Sequence, residues 1–109
     1  MEYFHRNNWP WGKSTIINIL DGAGTVKVTV EDDHPKMACI SSLSVIPDKR
    51  HCGFGKQLLK MAEEEARVMG CTKVMLYAVV GEFTVEWYQR EGYKVIDEIE
   101  HHYRLQKRL

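Results

Sequence analysis

The stretch SSLSVIPDKRHCGFGKQLLKMAEEEA, residues 41 to 66, changes character twice. It opens as an extended apolar run through Leu43 and Val45, breaks at Pro47, and from about Phe54 to Met69 takes up a helical period. Leu58, Leu59, Ala62, Ala66 and Met69 share one helix face, while Lys60, Glu63, Glu64 and Arg67 fall elsewhere. The run EEEAR reads most simply as a solvated face. Between strand and helix sits RHCGFGK, Arg50 to Lys56. The first turn of a helix carries unpaired N–H groups and a partial positive charge. Glycines let an anion approach those groups without a Cβ in the way. Arg50 and Lys56 add full charges, so a pyrophosphate is the natural guest. A tight turn with close helix–sheet packing would also use Gly53 and Gly55, but has no need of the flanking cations.

Two other phosphate motifs are excluded by spacing. WGKST ends like a Walker loop, yet the residue five before Gly12 is Asn7 and no strand precedes it. A dinucleotide fold fits poorly, because GFG is followed by KQL rather than a third glycine and three apparent meander strands come before it.

Outside that stretch the period alternates between two and 3.6. The first dozen residues, rich in Asn, Trp and Gly, read as irregular. STIINIL (Ser14 to Leu20), TVKVTVE (Thr25 to Glu31) and KMACISSLSV (Lys36 to Val45) read as strands joined by DGAG and DDHP turns, an antiparallel meander. Gly70 ends the helix. KVMLYAVV, Lys73 to Val80, is a nearly continuous apolar run that suits a central strand buried on both sides. FTVEWYQRE forms a second, shorter helix closed by Gly92, YKVIDEI a strand, and the tail HHYRLQKRL a last one. The expected class is α+β: a mixed, mostly antiparallel sheet with helices packed on it.

Composition bounds the rest. The 109 residues predict one domain, 1–109, with a modest core. Basic and acidic residues balance at 15 each, which points to neither a nucleic-acid binder nor a membrane-surface protein. No run of about 18 apolar residues is present, and the N-terminus lacks a secretion signal. Cys39, Cys52 and Cys71 are odd in number and match no zinc spacing, so reduced thiols in a cytoplasmic protein are the simplest reading. His101 and His102 are neighbours on a strand and point to opposite faces, so no metal site is expected.

LSVIPDKRHCGFGKQLL resembles the signature of the GNAT superfamily of N-acetyltransferases, whose acetyl-CoA loop reads Gln/Arg-x-x-Gly-x-Gly/Ala. Here that loop is Arg50, His51, Cys52, Gly53, Phe54 and Gly55. Some 35 residues on, EWYQREGYKV resembles the family's second segment. The close match covers Cys39 to Val95.

The resemblance implies a fold, a cosubstrate and a chemistry. Pantetheine would bond the exposed backbone of Leu43, Ser44 and Val45, completing a broken ladder as an added strand does. Loop amides from His51 to Lys56 would hold the pyrophosphate, with Arg50 and Lys56 offsetting charge. Tyr88 would protonate the leaving thiolate of CoA, as a phenol can without ionising at neutral pH. The Val45 N–H would polarise the acetyl carbonyl while a primary amine attacks, the acceptor being a small molecule or a peptide. Three departures stand out. Ser41 occupies a position where some relatives carry a glutamate base, leaving Asp32, Asp33, His34 and Glu82 as candidates by polarity. Gly81 stands seven residues before Tyr88, where many relatives have asparagine. The unit of one strand and two helices that usually covers the acceptor pocket looks reduced to MEYFHRNNWPWGKS. Such an open acceptor side gives the chain reason to form a homodimer, through Trp9 and Trp11 or by pairing of the tail strand.

Overall fold

Seven strands and two helices follow from these patterns in the computed structural model, which describes residues 2–109. In chain order they are β1 (Tyr3–Trp9), β2 (Gly12–Ile19), β3 (Gly24–Glu31), β4 (Met37–Val45), α1 (Phe54–Val68), β5 (Lys73–Val79), α2 (Phe83–Arg90), β6 (Lys94–Ile99) and β7 (His102–Arg108). They form one sheet in the order β1-β2-β3-β4-β5-β7-β6. Only β4 and β5 run parallel; every other neighbouring pair is antiparallel. The expected mixed, mostly antiparallel sheet with packed helices is what the chain builds.

Alternation decides which face is covered. Ile17 and Ile19, Val26, Val28 and Val30, Ala38 and Ile40, and Val74, Leu76 and Ala78 all turn to one side, where α1 buries Leu58, Leu59, Ala62 and Ala66 against them. Each fully buried leucine there contributes on the order of 1.5–3 kcal/mol. On β2 and β3 the opposite face carries Asn18, Lys27 and Thr29, residues that tolerate water.

Four expectations need correction. The first dozen residues are not irregular: Tyr3 to Trp9 pair along their whole length with β2 through a two-residue turn at Pro10 and Trp11. The strand was hidden because its side chains are almost all exposed and show no alternation. No helix lies between β1 and β2, in keeping with the expected reduction of the unit that covers the acceptor pocket, but a strand is present there. Next, β5 is central but not buried on both sides, since Tyr77 and Val79 are exposed on a face that no layer covers. The tail strand lies between β5 and β6 with both edges paired, so it has no free edge for a second chain. Finally, EEEAR is not a solvated face: Glu63, Glu65 and Ala66 are buried, and only Glu64 and Arg67 are exposed. Trp9 packs its ring against Gly12 of its own hairpin, whereas Trp11 is exposed.

The two buried glutamates tie α1 to both sides of the sheet. Glu65 takes two hydrogen bonds from the Arg6 guanidinium of β1, both at 2.8 Å, and one from the Thr15 hydroxyl of β2. Glu63 takes the Tyr93 hydroxyl at 2.8 Å and the Lys107 ammonium of β7 at 3.1 Å.

Candidate active site

Parallel pairing between β4 and β5 is short. Met37, Ala38 and Cys39 stand opposite Lys73, Val74 and Met75, and beyond that the strands diverge. A bulge on the other edge of β4 drives the divergence. Thr25 faces Ser44 and Lys27 faces Ser41, so Ser42 and Leu43 together oppose the single Val26. Ser42 takes the left-handed conformation, φ 56°. Bulges of this kind bend a strand and end its pairing.

The bulge leaves backbone groups of β4 turned into the gap. The Ile46 N–H bonds the Ala23 carbonyl, on the β3 side. Alternation along extended chain then directs the Val45 and Leu43 N–H groups the other way, toward β5. The Val45 carbonyl, freed from any ladder, accepts instead from Arg50 Nε at 2.9 Å. Between the strands lies a cavity of about 270 Å³, walled by Leu43 and Ser41 on one side, Ala78 and Val79 on the other, and Tyr88 of α2.

After Val45 the chain makes a short 3-10 turn at Pro47–Lys49 and reaches α1. His51 and Gly53 both have positive φ, 62° and 84°. Gly53 caps α1 in the left-handed region, with no side chain covering the first turn. The first helical bond runs from the Gln57 N–H to the Gly53 carbonyl, which leaves the Phe54, Gly55 and Lys56 amides facing outward at the dipole's positive end. The fold does not need glycine at position 55. Its φ is not positive, and an added Cβ would meet only the Trp87 ring at 3.8 Å, an ordinary contact. Arg50, His51, Cys52 and Lys56 are exposed around this turn, Lys56 lying 3.9 Å from Glu91. Cys52 Sγ points back at the Arg50 carbonyl. All three cysteines are free.

Tyr88 is held edge-on between two aromatic rings, Trp87 at 5.0 Å and Tyr93 at 5.7 Å between centroids. Burial pushes its phenol above the ordinary tyrosine value, so at neutral pH it is a proton donor. Gly81 sits in the turn before α2 at φ 87°.

The residues named from sequence thus fall into two groups. Leu43 and Tyr88 wall the gap and Val45 follows on the same edge of β4, whereas Ser44, paired with Thr25, turns its N–H toward β3; Arg50 through Lys56 form the turn beyond. The base candidates do not join them. Asp32, Asp33 and His34 lie in the exposed β3–β4 turn, and Glu82 precedes α2; among the described residues no carboxylate or histidine lines the gap. A second cavity, of about 380 Å³, lies on the uncovered face beside Met37, Cys39, Met75 and Tyr77, and is lined also by Glu31, His34 and Arg104, so His34 of the base candidates borders this cavity though not the gap. Burial, and then Glu31, raise the Cys39 thiol above its usual range. Sequence reasoning missed Glu63 and Tyr93. Among the described residues no group of three or more His, Cys, Asp or Glu side chains comes together as a metal site. No helix among them is long and apolar enough to cross a membrane.

The acetyltransferase (GNAT) family model matches residues 2–101. No curated protein matches the sequence. Among solved structures, the fold is similar to PaiA N-acetyltransferase from Thermoplasma acidophilum in complex with coenzyme A. The TM-score is 0.75 at 21% identity, covering 88% of this chain and 60% of that one. An acetyltransferase from Bacillus cereus superposes at TM-score 0.72 and 24% identity, over 97% of this chain and 74% of that one. N-acetylglutamate synthase from Neisseria gonorrhoeae, complexed with coenzyme A and N-acetyl-glutamate, gives 0.73 at 20% identity, over 88% of this chain and 25% of that one. At these identities the likeness is one of fold.

Proposed function

The chain belongs to the GNAT acetyltransferase family, and from that premise we propose that it moves an acetyl group from acetyl-CoA to a primary amine by direct transfer. The observation that carries the reading is the gap between β4 and β5, with a protonated tyrosine on its wall and a glycine-lined helix start at its end. Gly55 supports it independently. A glycine that neither backbone conformation nor packing demands fits a surface that a ligand must approach closely.

In this reading the outward N–H groups of Leu43 and Val45 bond the amides of pantetheine, and the Phe54, Gly55 and Lys56 amides hold the pyrophosphate. Arg50 has two tasks, since its Nε is engaged by the Val45 carbonyl and the remainder of the guanidinium is free to meet phosphate. The Val45 N–H polarises the acetyl carbonyl. The amine nitrogen bonds to the carbonyl carbon, the carbon–sulfur bond breaks, and the thiolate takes the Tyr88 proton. The amine arrives from the uncovered face, where the Met37–Tyr77 cavity offers an apolar floor. With no carboxylate lining the gap, its proton leaves through water. The test is thiol release from acetyl-CoA with a panel of small and peptide amines, with and without Tyr88→Phe. The variant is expected to bind CoA normally and to turn over slowly.

One observation favours a second reading, a non-catalytic acyl-CoA-binding module: the base candidates stand outside the gap. That reading expects CoA binding without thiol release for every amine tried, and indifference to Tyr88→Phe.

A further inference from the structure

A buried polar cluster stands directly behind Tyr88, and the reaction as described leaves it without a task. Tyr93 is 2% exposed and Glu63 5%. The Tyr93 hydroxyl donates to Glu63 Oε2 at 2.8 Å. Lys107 reaches both Glu63 oxygens, at 3.1 and 3.2 Å, and its ammonium lies 5.6 Å from the centre of the Tyr93 ring. Three elements meet here: α1 through Glu63, β7 through Lys107, and the turn between α2 and β6 through Tyr93. A merely apolar contact would be served as well by phenylalanine. Burying a hydroxyl and a carboxylate beside a partly buried ammonium costs desolvation, which such a cluster offsets only when every member is partnered.

The cluster fixes the one ring that touches Tyr88 from behind. Tyr93 meets Tyr88 edge-on with ring planes at 68°, and its N–H bonds the Tyr88 carbonyl at 3.1 Å. With Trp87 on the other side at 70°, Tyr88 has little freedom about its own axis. We propose that Tyr93 is the positioning residue of the site: locked by Glu63 and Lys107, it sets the direction in which the Tyr88 hydroxyl enters the gap. The proposal rests on the reading of Tyr88 as the proton donor. It assigns Tyr93 no contact with substrate; its effect passes through Tyr88.

Geometry of this kind matters because a displacement of about 1 Å at a reacting group can cost on the order of a hundredfold in rate. The test uses the full chain with 13Cε-labelled tyrosine, Tyr88 being assigned by its loss in Tyr88→Phe. Tyr93→Phe keeps the ring and removes the hydroxyl. Glu63→Gln keeps an acceptor and removes the charge that holds Lys107. In both variants the Tyr88 resonance is expected to shift or broaden while the protein still melts cooperatively and binds CoA as the parent does. An unchanged Tyr88 resonance in both overturns the proposal whatever turnover does.

Kinetics with acetyl-CoA and n-butylamine as the acceptor probe add a second arm. Tyr93→Phe is expected to lower kcat about ten- to a hundredfold with KM for acetyl-CoA unchanged. The double variant Tyr88→Phe/Tyr93→Phe should be no slower than Tyr88→Phe alone. Additive losses overturn the positioning role and leave Tyr88 its own. No loss from Tyr88→Phe by itself overturns both assignments.

Discussion

Cys39 on β4 stands opposite Met75 on β5, and that pair is the last rung between the two strands. Everything proposed for the site depends on where this rung falls. Had the pairing run on along β4 past Leu43 to Val45, the backbone of that stretch would be consumed by its neighbour. Stopping here leaves Leu43 and Val45 with N–H groups directed into the gap, two residues apart on one edge.

Those amides should exchange fast in the free protein, because no strand protects them. Saturating CoA is expected to slow both, while amides of β2 and β3 are already protected and change little. Amide exchange with and without CoA, read at single-residue resolution, checks this. Equal protection in the two states would argue that nothing adds to the edge.

The two loop glycines should behave differently when replaced by alanine. Gly53 has φ 84°, so Gly53→Ala places a Cβ in the left-handed region and costs about 1–2 kcal/mol of stability. Gly55 lies inside the first helical turn with room for a methyl group. Gly55→Ala is therefore expected to leave stability unchanged or to raise it by up to about 1 kcal/mol. It should nevertheless weaken CoA binding about tenfold or more, equivalent to about 1.4 kcal/mol. Denaturant titration and calorimetry on the one variant separate the two effects.

Tyr88→Phe is expected to lower turnover by about a hundredfold or more, the scale of general acid catalysis, with the affinity for CoA retained. Burial raises the Tyr88 phenol, so the loss of activity from its deprotonation in the parent protein falls on the alkaline side, above the ordinary tyrosine value. Rates measured across pH 6 to 11 should lose that alkaline limb in the variant.

Glu65 sets the acid limit of the fold. Hydrogen bonding from Arg6 holds its carboxyl below the usual range, with Thr15 acting in the same direction and burial against them. The unfolded carboxyl titrates near 4.3. Above that value the ionised, paired form stabilises the fold in full. As pH falls through the depressed folded value that contribution is lost, because both states are then protonated. Glu65→Gln is expected to be less stable than the parent at pH 7 and to converge with it as pH falls through the depressed folded value. Urea midpoints across that range check the sign.

Much of this architecture was legible in the sequence, and the exceptions share a physical cause. The strand–turn–helix from Leu43 to Met69 announced itself because three signals agree there: apolar alternation, a proline break and a helical period. β1 was missed because YFHRNNW is exposed on both faces and carries no alternation to read. The position of β7 between β5 and β6 is a tertiary pairing that no local pattern encodes. Glu65 could have been found. It falls on the helical stripe of Leu58, Ala62 and Met69, a place where a carboxylate requires a partner. The Arg6 that supplies it lies 59 residues away. Glu63 similarly falls between Leu59 and Ala66. Of the candidate site, the glycine turn stood out in the sequence and Tyr88 was named through the family resemblance, but the bulge at Ser42 that opens the gap had no sequence signal, since serine carries none for a left-handed conformation.

Thermal unfolding with CoA, acetyl-CoA and ATP tests the central claim most directly. A ligand at about 100 times its dissociation constant adds about 2.7 kcal/mol. For a domain of this size that raises Tm by on the order of ten degrees. We expect the rise with CoA and acetyl-CoA and none with ATP. No rise with either CoA species at saturating concentration would mean that the gap after Cys39 and the glycine turn at Gly53 hold no acyl carrier, and would contradict the account.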